Sequence, residues 1–262
     1  MSAQLRSAWR ELPPALARKD CNACHGTGWE LFVLDGYSKA RRCSCRRLDQ
    51  IERLRHGVQI PRRYEHCSLN QFIPQNLSQT RALADARRFS DRFPDVTRGL
   101  FISGPPGVGK THLAVGIVRD LLLRFHDDIL FADFASLLRS RPSQYRRGCG
   151  PDFEWDRLKK VSLLVLDDFA WDSPTQEGLL MVEDLLLGRW LLKKLTILTG
   201  ESVSYRALFG KGRNRSTRSS ATQILLSSLS TQTLLRLLTQ LRMIPMTGDD
   251  YRKTRSEHGL FF

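Results

Sequence analysis

Short apolar runs alternate with longer amphipathic stretches along most of this 262-residue chain. Apolar runs rich in Leu, Ile, Val and Phe predict buried strands at 99–103, 128–132, 161–166, 195–199 and 244–246. Apolar residues at helical spacing predict helices at 79–93, 111–125 and 178–192. Strands that alternate with helices in this way predict a parallel sheet with helices on both faces.

A glycine-rich run joins the first predicted strand to the helix at 111–125. It reads Gly104-Pro105-Pro106-Gly107-Val108-Gly109-Lys110-Thr111 and matches the phosphate-binding pattern G-x-x-x-x-G-K-[ST] at every fixed position. The backbone N–H groups of such a loop bind a nucleoside triphosphate, Lys110 would reach its β and γ phosphates, and Thr111 would ligate Mg²⁺. A glycine turn that merely joins a strand to a helix is the alternative, but the full match and its flanks favour the nucleotide site.

Two adjacent carboxylates end the run that begins at residue 161. Asp167 is expected to hold Mg²⁺, directly or through water, and Asp168 to polarise the water that attacks the nucleotide. Paired acids also often cap the next helix. Their combination with the upstream glycine loop favours the catalytic interpretation.

Four of the six cysteines form two close pairs, Cys21-x-x-Cys24 and Cys43-x-Cys45. Eighteen residues separate Cys24 from Cys43, as in two-knuckle zinc sites, so four thiolates could close a tetrahedral Zn²⁺ shell. His25 could replace Cys43 or Cys45 as a ligand. Thiols that bind no metal, or that are redox-active, are the other alternative.

The cysteines and the nucleotide motifs predict two domains. Residues 60–64, Ile-Pro-Arg-Arg-Tyr, predict an extended linker, because proline disfavours helix just before it. We therefore expect a small zinc-ribbon-like module and linker at 1–60, with a strand at 29–33, and a nucleotide-binding domain at 61–262.

The chain is strongly basic, with 41 Lys and Arg against 27 Asp and Glu and a net charge of +14. This excess suits a polyanionic partner such as nucleic acid, and general basicity without a partner is the alternative. We see no secretory signal and no apolar run near the roughly 20 residues that a membrane-spanning helix needs. The composition therefore predicts a cytoplasmic protein without membrane attachment.

Basic residues concentrate in two stretches. The first combines arginines with a tyrosine and consists of Arg139, Arg141, Tyr145, Arg146 and Arg147. Arginines contact phosphates and tyrosine stacks on unpaired bases, so this stretch predicts a single-stranded DNA site, with a solvated arginine face as the alternative. The second stretch, 205–225, is basic, rich in Ser and Thr and poor in apolar residues, and predicts a flexible loop.

Five phrases of the sequence occur in a characteristic order. They are Cys-x-x-Cys-x-Gly-Thr-Gly-Trp at 21–29, the linker at 60–64, the phosphate loop continuing into His112, Leu-Val-Leu-Asp-Asp at 164–168, and Gly-Asp-Asp-Tyr-Arg at 248–252. In this combination the chain resembles the DnaC/IstB family of AAA+ ATPases. The resemblance implies a three-layer P-loop AAA+ α/β domain that binds and hydrolyses ATP, with His112 in the nucleotide site. Because little sequence follows Tyr251, we expect no full C-terminal lid.

The resemblance also implies partners. A replicative helicase loader of this type binds ATP and single-stranded DNA, forms homo-oligomers and delivers a helicase, which the cysteine module would recognise. Arg236 matches the arginine that acts across the subunit interface on a neighbour's ATP, although it could be an ordinary helix-surface arginine. Two other functions remain open, namely a transposition-helper ATPase that binds a transposase and a nucleotide-binding adaptor with little hydrolysis.

One position departs from the family pattern. The family usually carries an asparagine that senses the γ-phosphate after the strand at 195–199, whereas this chain has Gly200-Glu201. A glutamate near the γ-phosphate would repel it unless a cation intervened. We therefore expect Glu201 to point away and hydrolysis to be slow or partner-dependent.

Overall fold

The structure, a computed structural model, describes residues 21–27, 29–34, 37–43, 60–124, 128–140, 153–203 and 220–252. The chain divides into two compact units, 1–57 and 58–262. No helix within the described residues is long and apolar enough to cross a membrane.

The first unit contains a two-stranded antiparallel hairpin. Strands β1 (Trp29–Leu34) and β2 (Tyr37–Arg42) pair along their full length, from Trp29 opposite Arg42 to Leu34 opposite Tyr37. The strand predicted at 29–33 is therefore present as β1. The hairpin returns the chain after β2 to the turn that precedes β1, so Cys43 lies close to the cysteines of that turn.

The second unit alternates helices and strands after a short 3-10 helix at Arg62–Tyr64. Its elements in chain order are α1 (Leu77–Arg92), β3 (Gly99–Ser103), α2 (Lys110–Arg124), β4 (Ile129–Asp133), α3 (Phe134–Ser140), α4 (Phe153–Lys160), β5 (Leu163–Asp167), α5 (Gln176–Leu191), β6 (Leu195–Gly200), α6 (Ala221–Ser228), α7 (Thr231–Gln240) and β7 (Leu241–Pro245).

The five strands β3 to β7 form one parallel sheet in the order β4-β5-β6-β3-β7. All residues of β3 and β5 are buried, as expected for a parallel sheet covered on both faces. The predicted parallel α/β fold is thus confirmed. From β3 the chain crosses to β4 on one side of the sheet, whereas from β6 it crosses past β3 to β7 on the other side. The strand order therefore reverses at β3. In open α/β sheets, ligands bind at the carboxyl ends of the strands where the order reverses.

The glycine-rich run leaves the sheet at this point and leads into α2. Helix α2 is largely buried, and its first residue is Lys110. The strand order thus places the phosphate loop, the end of β5 and the end of β6 along one edge of the sheet.

Three expectations about local structure need correction. Residues 62–64, within the extended linker expected at 60–64, form a 3-10 helix, in which the N–H of Tyr64 donates to the carbonyl oxygen of Pro61 at 2.9 Å. The loop expected at 205–225 ends earlier, because Ser220 caps α6 by accepting a hydrogen bond from the backbone N–H of Gln223 at 3.2 Å, and Leu225 and Leu226 of that helix are buried. Residues 205–219 of that stretch lie outside the described residues. Strand β7 begins at Leu241 rather than at 244, because Leu241 already pairs with Gly99 of β3.

Candidate active site

The phosphate loop depends on two glycines with left-handed backbone conformation. Gly107 has φ of 78° and Gly109 has φ of 98°, values that favour glycine. A Cβ atom on Gly107 would lie 1.9 Å from Oδ1 of Asp250, and one on Gly109 would lie 2.6 Å from Cε2 of Phe72. The loop therefore has both the conformation and the close approach that the G-x-x-x-x-G-K-[ST] pattern predicts.

The side chain of Lys110 lies along the phosphate loop. Its Nζ donates hydrogen bonds to the carbonyl oxygens of Gly104 at 2.9 Å and Pro105 at 2.8 Å. The ammonium group is thus held at the start of the loop, where backbone N–H groups and the N-terminus of α2 favour anions.

Several charged groups act on Lys110. Burial lowers the pKa of Lys110, and the carboxylates of Asp168, Glu201 and Asp167 partly offset this effect. Arg252 lowers the Lys110 pKa further, so it also lies close enough to act on the ammonium group. We expected Glu201 to point away from the nucleotide phosphates. Its carboxylate nevertheless acts electrostatically on Lys110, the lysine that the motif assigns to the terminal phosphates.

Thr111, Asp167 and Thr199 form a hydroxyl–carboxylate cluster at the ends of three elements. The Thr111 hydroxyl donates to Oδ1 of Asp167 at 2.8 Å, and the Thr199 hydroxyl donates to the same oxygen at 2.6 Å. Burial raises the pKa of Asp167, and the two hydrogen bonds oppose this change. A hydroxyl oxygen and a carboxylate in contact are ligands that suit Mg²⁺, which usually binds one or two protein groups besides phosphate.

Asp168 lies beside this cluster and has a left-handed backbone, with φ of 55°. Its backbone N–H donates to the Thr199 hydroxyl at 2.9 Å, and the N–H of Phe169 donates to the Thr199 carbonyl oxygen at 2.7 Å. Thr199 therefore binds the carboxylate of Asp167 and the backbone of Asp168. Sequence reasoning missed Thr199, although a hydroxyl residue at the end of the strand predicted at 195–199 was a usable signal.

A cleft of about 470 Å³ adjoins the phosphate loop on the side of residues 71–79. Its lining comprises Gln71, Phe72, Ile73, Gln75, Asn76, Gln79, Gly107, Val108, Gly109, His112, Gly248, Asp249 and Tyr251. The cleft combines an aromatic ring and apolar side chains with amide groups, as a planar nucleobase site requires.

His112 connects α2 to the segment that borders the cleft. Its Nε2 lies 2.9 Å from the carbonyl oxygen of Ser68, and its ring packs edge-on against Phe72 with centroids 5.3 Å apart. Burial lowers the pKa of His112, and the nearby His66 lowers it further. The hydrogen bond to Ser68 opposes this change. Because a carbonyl oxygen only accepts, Nε2–H donates to Ser68, and His112 thereby positions the wall of the cleft.

The segment that follows β7 closes over the phosphate loop. The N–H of Tyr251 donates to the carbonyl oxygen of Gly107 at 3.2 Å. Asp250 accepts two hydrogen bonds from the Arg252 guanidinium, at 2.9 and 2.7 Å. The Gly-Asp-Asp-Tyr-Arg phrase at 248–252 is therefore part of the site rather than a distant tail.

Three cysteines of the first unit form a separate cluster. The sulfur atoms of Cys21, Cys24 and Cys43 lie within 4.8 Å of one another, and those of Cys21 and Cys43 are 3.6 Å apart. Cys24 and Cys43 are buried. Three converging thiols fit the donor set of a structural Zn²⁺ site. Cys45, the fourth predicted ligand, lies outside the described residues.

The remaining predicted site residues lie away from this arrangement or outside the described residues. Arg236 is on α7, and its guanidinium stacks on the ring of Trp190 at 4.3 Å from the centroid. Arg139 is exposed at the end of α3 and donates to the Ser136 hydroxyl at 2.7 Å. Outside the described residues lie Arg141, Tyr145, Arg146 and Arg147.

The strand order, the glycine loop and the Thr–Asp pair at the carboxyl edge define a P-loop ATPase of the AAA+ class. The chain belongs to the family of IstB-like ATP-binding proteins, whose profile matches residues 72–259. The predicted DnaC/IstB membership is therefore confirmed.

Relatives and solved structures agree with this assignment. The replicative helicase loader DnaC of Escherichia coli K12 is 25% identical over 160 residues, which cover 56% of this chain and 65% of that protein. A crystal structure of the DnaC helicase loader superposes with a TM-score of 0.58 and 25% identity, covering 71% of this chain and 99% of that one. DnaI superposes with a TM-score of 0.55, 22% identity and coverage of 73% and 93%, which supports the fold alone.

Proposed function

We propose that this chain is an ATP-hydrolysing replication protein of the helicase-loader type. The observation that carries the proposal is the contact of the Thr111 hydroxyl with Asp167 at 2.8 Å beside Lys110. This arrangement supplies a cation site and a phosphate-binding lysine at the end of a glycine loop, which are the parts that phosphoryl transfer needs.

Each group has a role in the proposed reaction. Lys110 exchanges its two carbonyl partners for the β and γ phosphates, since both are anionic acceptors and bind an ammonium group more strongly. Thr111 and Asp167 would hold Mg²⁺, which neutralises charge on the phosphates. Asp168, which is exposed at the edge of the site, orients the attacking water. Arg236 of a second copy would stabilise the charge of the transition state once oligomers form.

The replication role rests on similarity and on charge. The family relative in Escherichia coli is a replicative helicase loader, and the net charge of +14 suits a nucleic acid partner. We therefore propose that the basic stretch beginning at Arg139 binds single-stranded DNA, that copies associate with one another, and that a replicative helicase is the protein cargo in the cytoplasm. The IstB-like family profile favours one other function, in which the same ATPase serves a transposase.

ATP turnover in the presence of DNA tests this function. We expect phosphate release to rise when single-stranded DNA is added, and DNA affinity to fall steeply between low and moderate salt because arginine–phosphate contacts release counterions. Size-exclusion co-elution with the replicative helicase in the presence of ATP would support the loader, and co-elution with a transposase would support the alternative. If ATP binds but no condition produces turnover, the chain is a nucleotide-binding adaptor instead.

The cysteine cluster is proposed to hold one structural zinc ion that shapes a helicase-recognition module. Metal analysis after removal of loosely bound ions should give about one Zn²⁺ per chain, because closed thiolate sites bind zinc tightly. The Cys24→Ser variant should lose zinc and helicase co-elution but keep ATP turnover, since Cys24 belongs to the cysteine cluster and not to the nucleotide site. His25→Ala is the matched control, and a loss of zinc in that variant would make His25 a ligand. Zinc-free native protein would contradict the proposal.

A further inference from the structure

Glu201 places a third carboxylate at the phosphate end of the site. It directly follows β6, whose last residue, Gly200, pairs with Ser103 and accepts a hydrogen bond from the N–H of Gly104 at 3.2 Å. Gly104 in turn supplies one of the carbonyl oxygens that bind Nζ of Lys110. Glu201 therefore follows a residue, Gly200, that is hydrogen-bonded to Gly104, which itself binds Lys110.

The backbone at Glu201 is fixed on both sides. Its N–H donates to the hydroxyl of Thr222 at 2.9 Å, and Thr222 is fully buried on α6. Gly200 is confined as well, because a Cβ atom there would lie 2.9 Å from the Thr222 hydroxyl and 3.2 Å from Cε2 of Phe101. The side chain of Glu201 thus projects from a defined point at the edge of the sheet.

Among the described residues, carboxylates outnumber the cations that act on Lys110. Asp168, Glu201 and Asp167 all act on its ammonium group, whereas the guanidinium of Arg252 is paired with Asp250. In the proposed reaction Asp167 would hold Mg²⁺ and Asp168 would orient the water, whereas Glu201 is given neither role. Its backbone lies beside the start of the loop that the motif assigns to the phosphates, because Gly200 accepts from the N–H of Gly104.

We propose that Glu201 is a specificity-determining residue that disfavours a nucleoside triphosphate relative to a diphosphate, so that an isolated chain binds ADP in preference to ATP. The proposal rests on the function proposed above, because it requires Lys110 to contact the terminal phosphates. The γ-phosphate adds negative charge next to Glu201, and like charges in a partly buried site repel more strongly than in water. Positive charge contributed by a second copy would relieve this repulsion and couple ATP binding to assembly.

Nucleotide affinities measured on the full-length chain test the inference without requiring hydrolysis. Calorimetry at a fixed Mg²⁺ concentration gives dissociation constants for ADP and for the β,γ-methylene analogue of ATP. In Glu201→Gln the affinity for the triphosphate analogue should rise about tenfold or more and that for ADP less than about threefold, because removal of one nearby charge chiefly affects the additional phosphate. The native preference for ADP should thereby disappear.

Two further variants separate charge from other effects. Glu201→Asp keeps the charge and should keep the preference for ADP. Glu177→Gln removes the same formal charge from an exposed position in the first turn of α5 and should leave both affinities at native values. The backbone bond to Thr222 does not depend on the side chain of residue 201, so the variants should fold, and their thermal unfolding midpoints check this.

The outcomes distinguish the two proposals. If Glu201→Gln leaves the ratio of the two affinities unchanged, or if Glu201→Asp loses the ADP preference, the inference is wrong while the nucleotide site stands. If the native chain binds neither nucleotide with Mg²⁺ present, the proposed function itself fails.

Discussion

Lys110→Ala is expected to lower ATP turnover by about 10²-fold or more, the usual cost of removing one group that stabilises transition-state charge. Nζ of Lys110 donates to the carbonyl oxygens of Gly104 and Pro105, so the ammonium group is already positioned at the phosphate loop. Phosphate release at saturating ATP, with single-stranded DNA present, measures the effect. The affinity for ATP should fall as well, because the lysine binds the β and γ phosphates in the ground state.

The matched control for this variant is Lys160→Ala. Lys160 lies on α4 with a 69% exposed side chain and is 3.8 Å from Asp156 across one helical turn. Such surface pairs contribute little to stability, so this control should retain native turnover. Turnover in Lys110→Ala equal to that of the control would remove the phosphate loop from the proposed mechanism.

Asp168→Asn is expected to reduce turnover by about 10²-fold or more while ATP still binds, since general-base or water-orienting groups typically contribute that much. The φ angle of 55° at Asp168 is one that asparagine adopts as readily as aspartate. The backbone N–H that binds Thr199 is unaffected by the substitution. A loss of turnover would therefore report the carboxylate charge rather than a change in backbone conformation.

Asp172→Asn is the control for the second variant, because Asp172 is an exposed residue shortly downstream. Both variants need parallel measurements of ATP affinity and turnover. Native turnover in Asp168→Asn would show that another group orients the water, and weakened ATP binding would indicate a role in binding rather than in the chemical step.

Local patterns were sufficient to predict the sheet and the main nucleotide-binding groups. The glycine loop and the Asp167-Asp168 pair each follow a short apolar run, and the carboxyl ends of parallel strands meet at one edge of a sheet. The Thr111–Asp167 contact follows from these two facts together. Helix α6 was missed because it begins within a stretch rich in Ser and Thr and poor in apolar residues. Helix α7 was not assigned either, although Leu234, Leu237 and Leu238 recur at helical spacing.

Other features depend on contacts between distant segments. Arg189 lies in the helix predicted at 178–192, and an arginine is usually exposed. The residue is nevertheless 1% exposed, and its guanidinium donates to Thr196 and to the carbonyl oxygen of Val161. Burial lowers the pKa of Arg189 to about 9. The spacing of apolar residues in the sequence predicts neither which strand this helix packs against nor that its arginine is buried.

The amino-acid sequence alone determined that this chain has a phosphate loop, a carboxylate pair on a parallel sheet and a cysteine cluster, because each is encoded by neighbouring residues. Only the tertiary structure decided that Thr199 binds the carboxylate of Asp167 and the backbone of Asp168, and that Glu201 acts on Lys110. The strand order causes this difference. It places β6 directly beside the phosphate-loop strand, so residues about 90 positions apart in the sequence share one electrostatic environment.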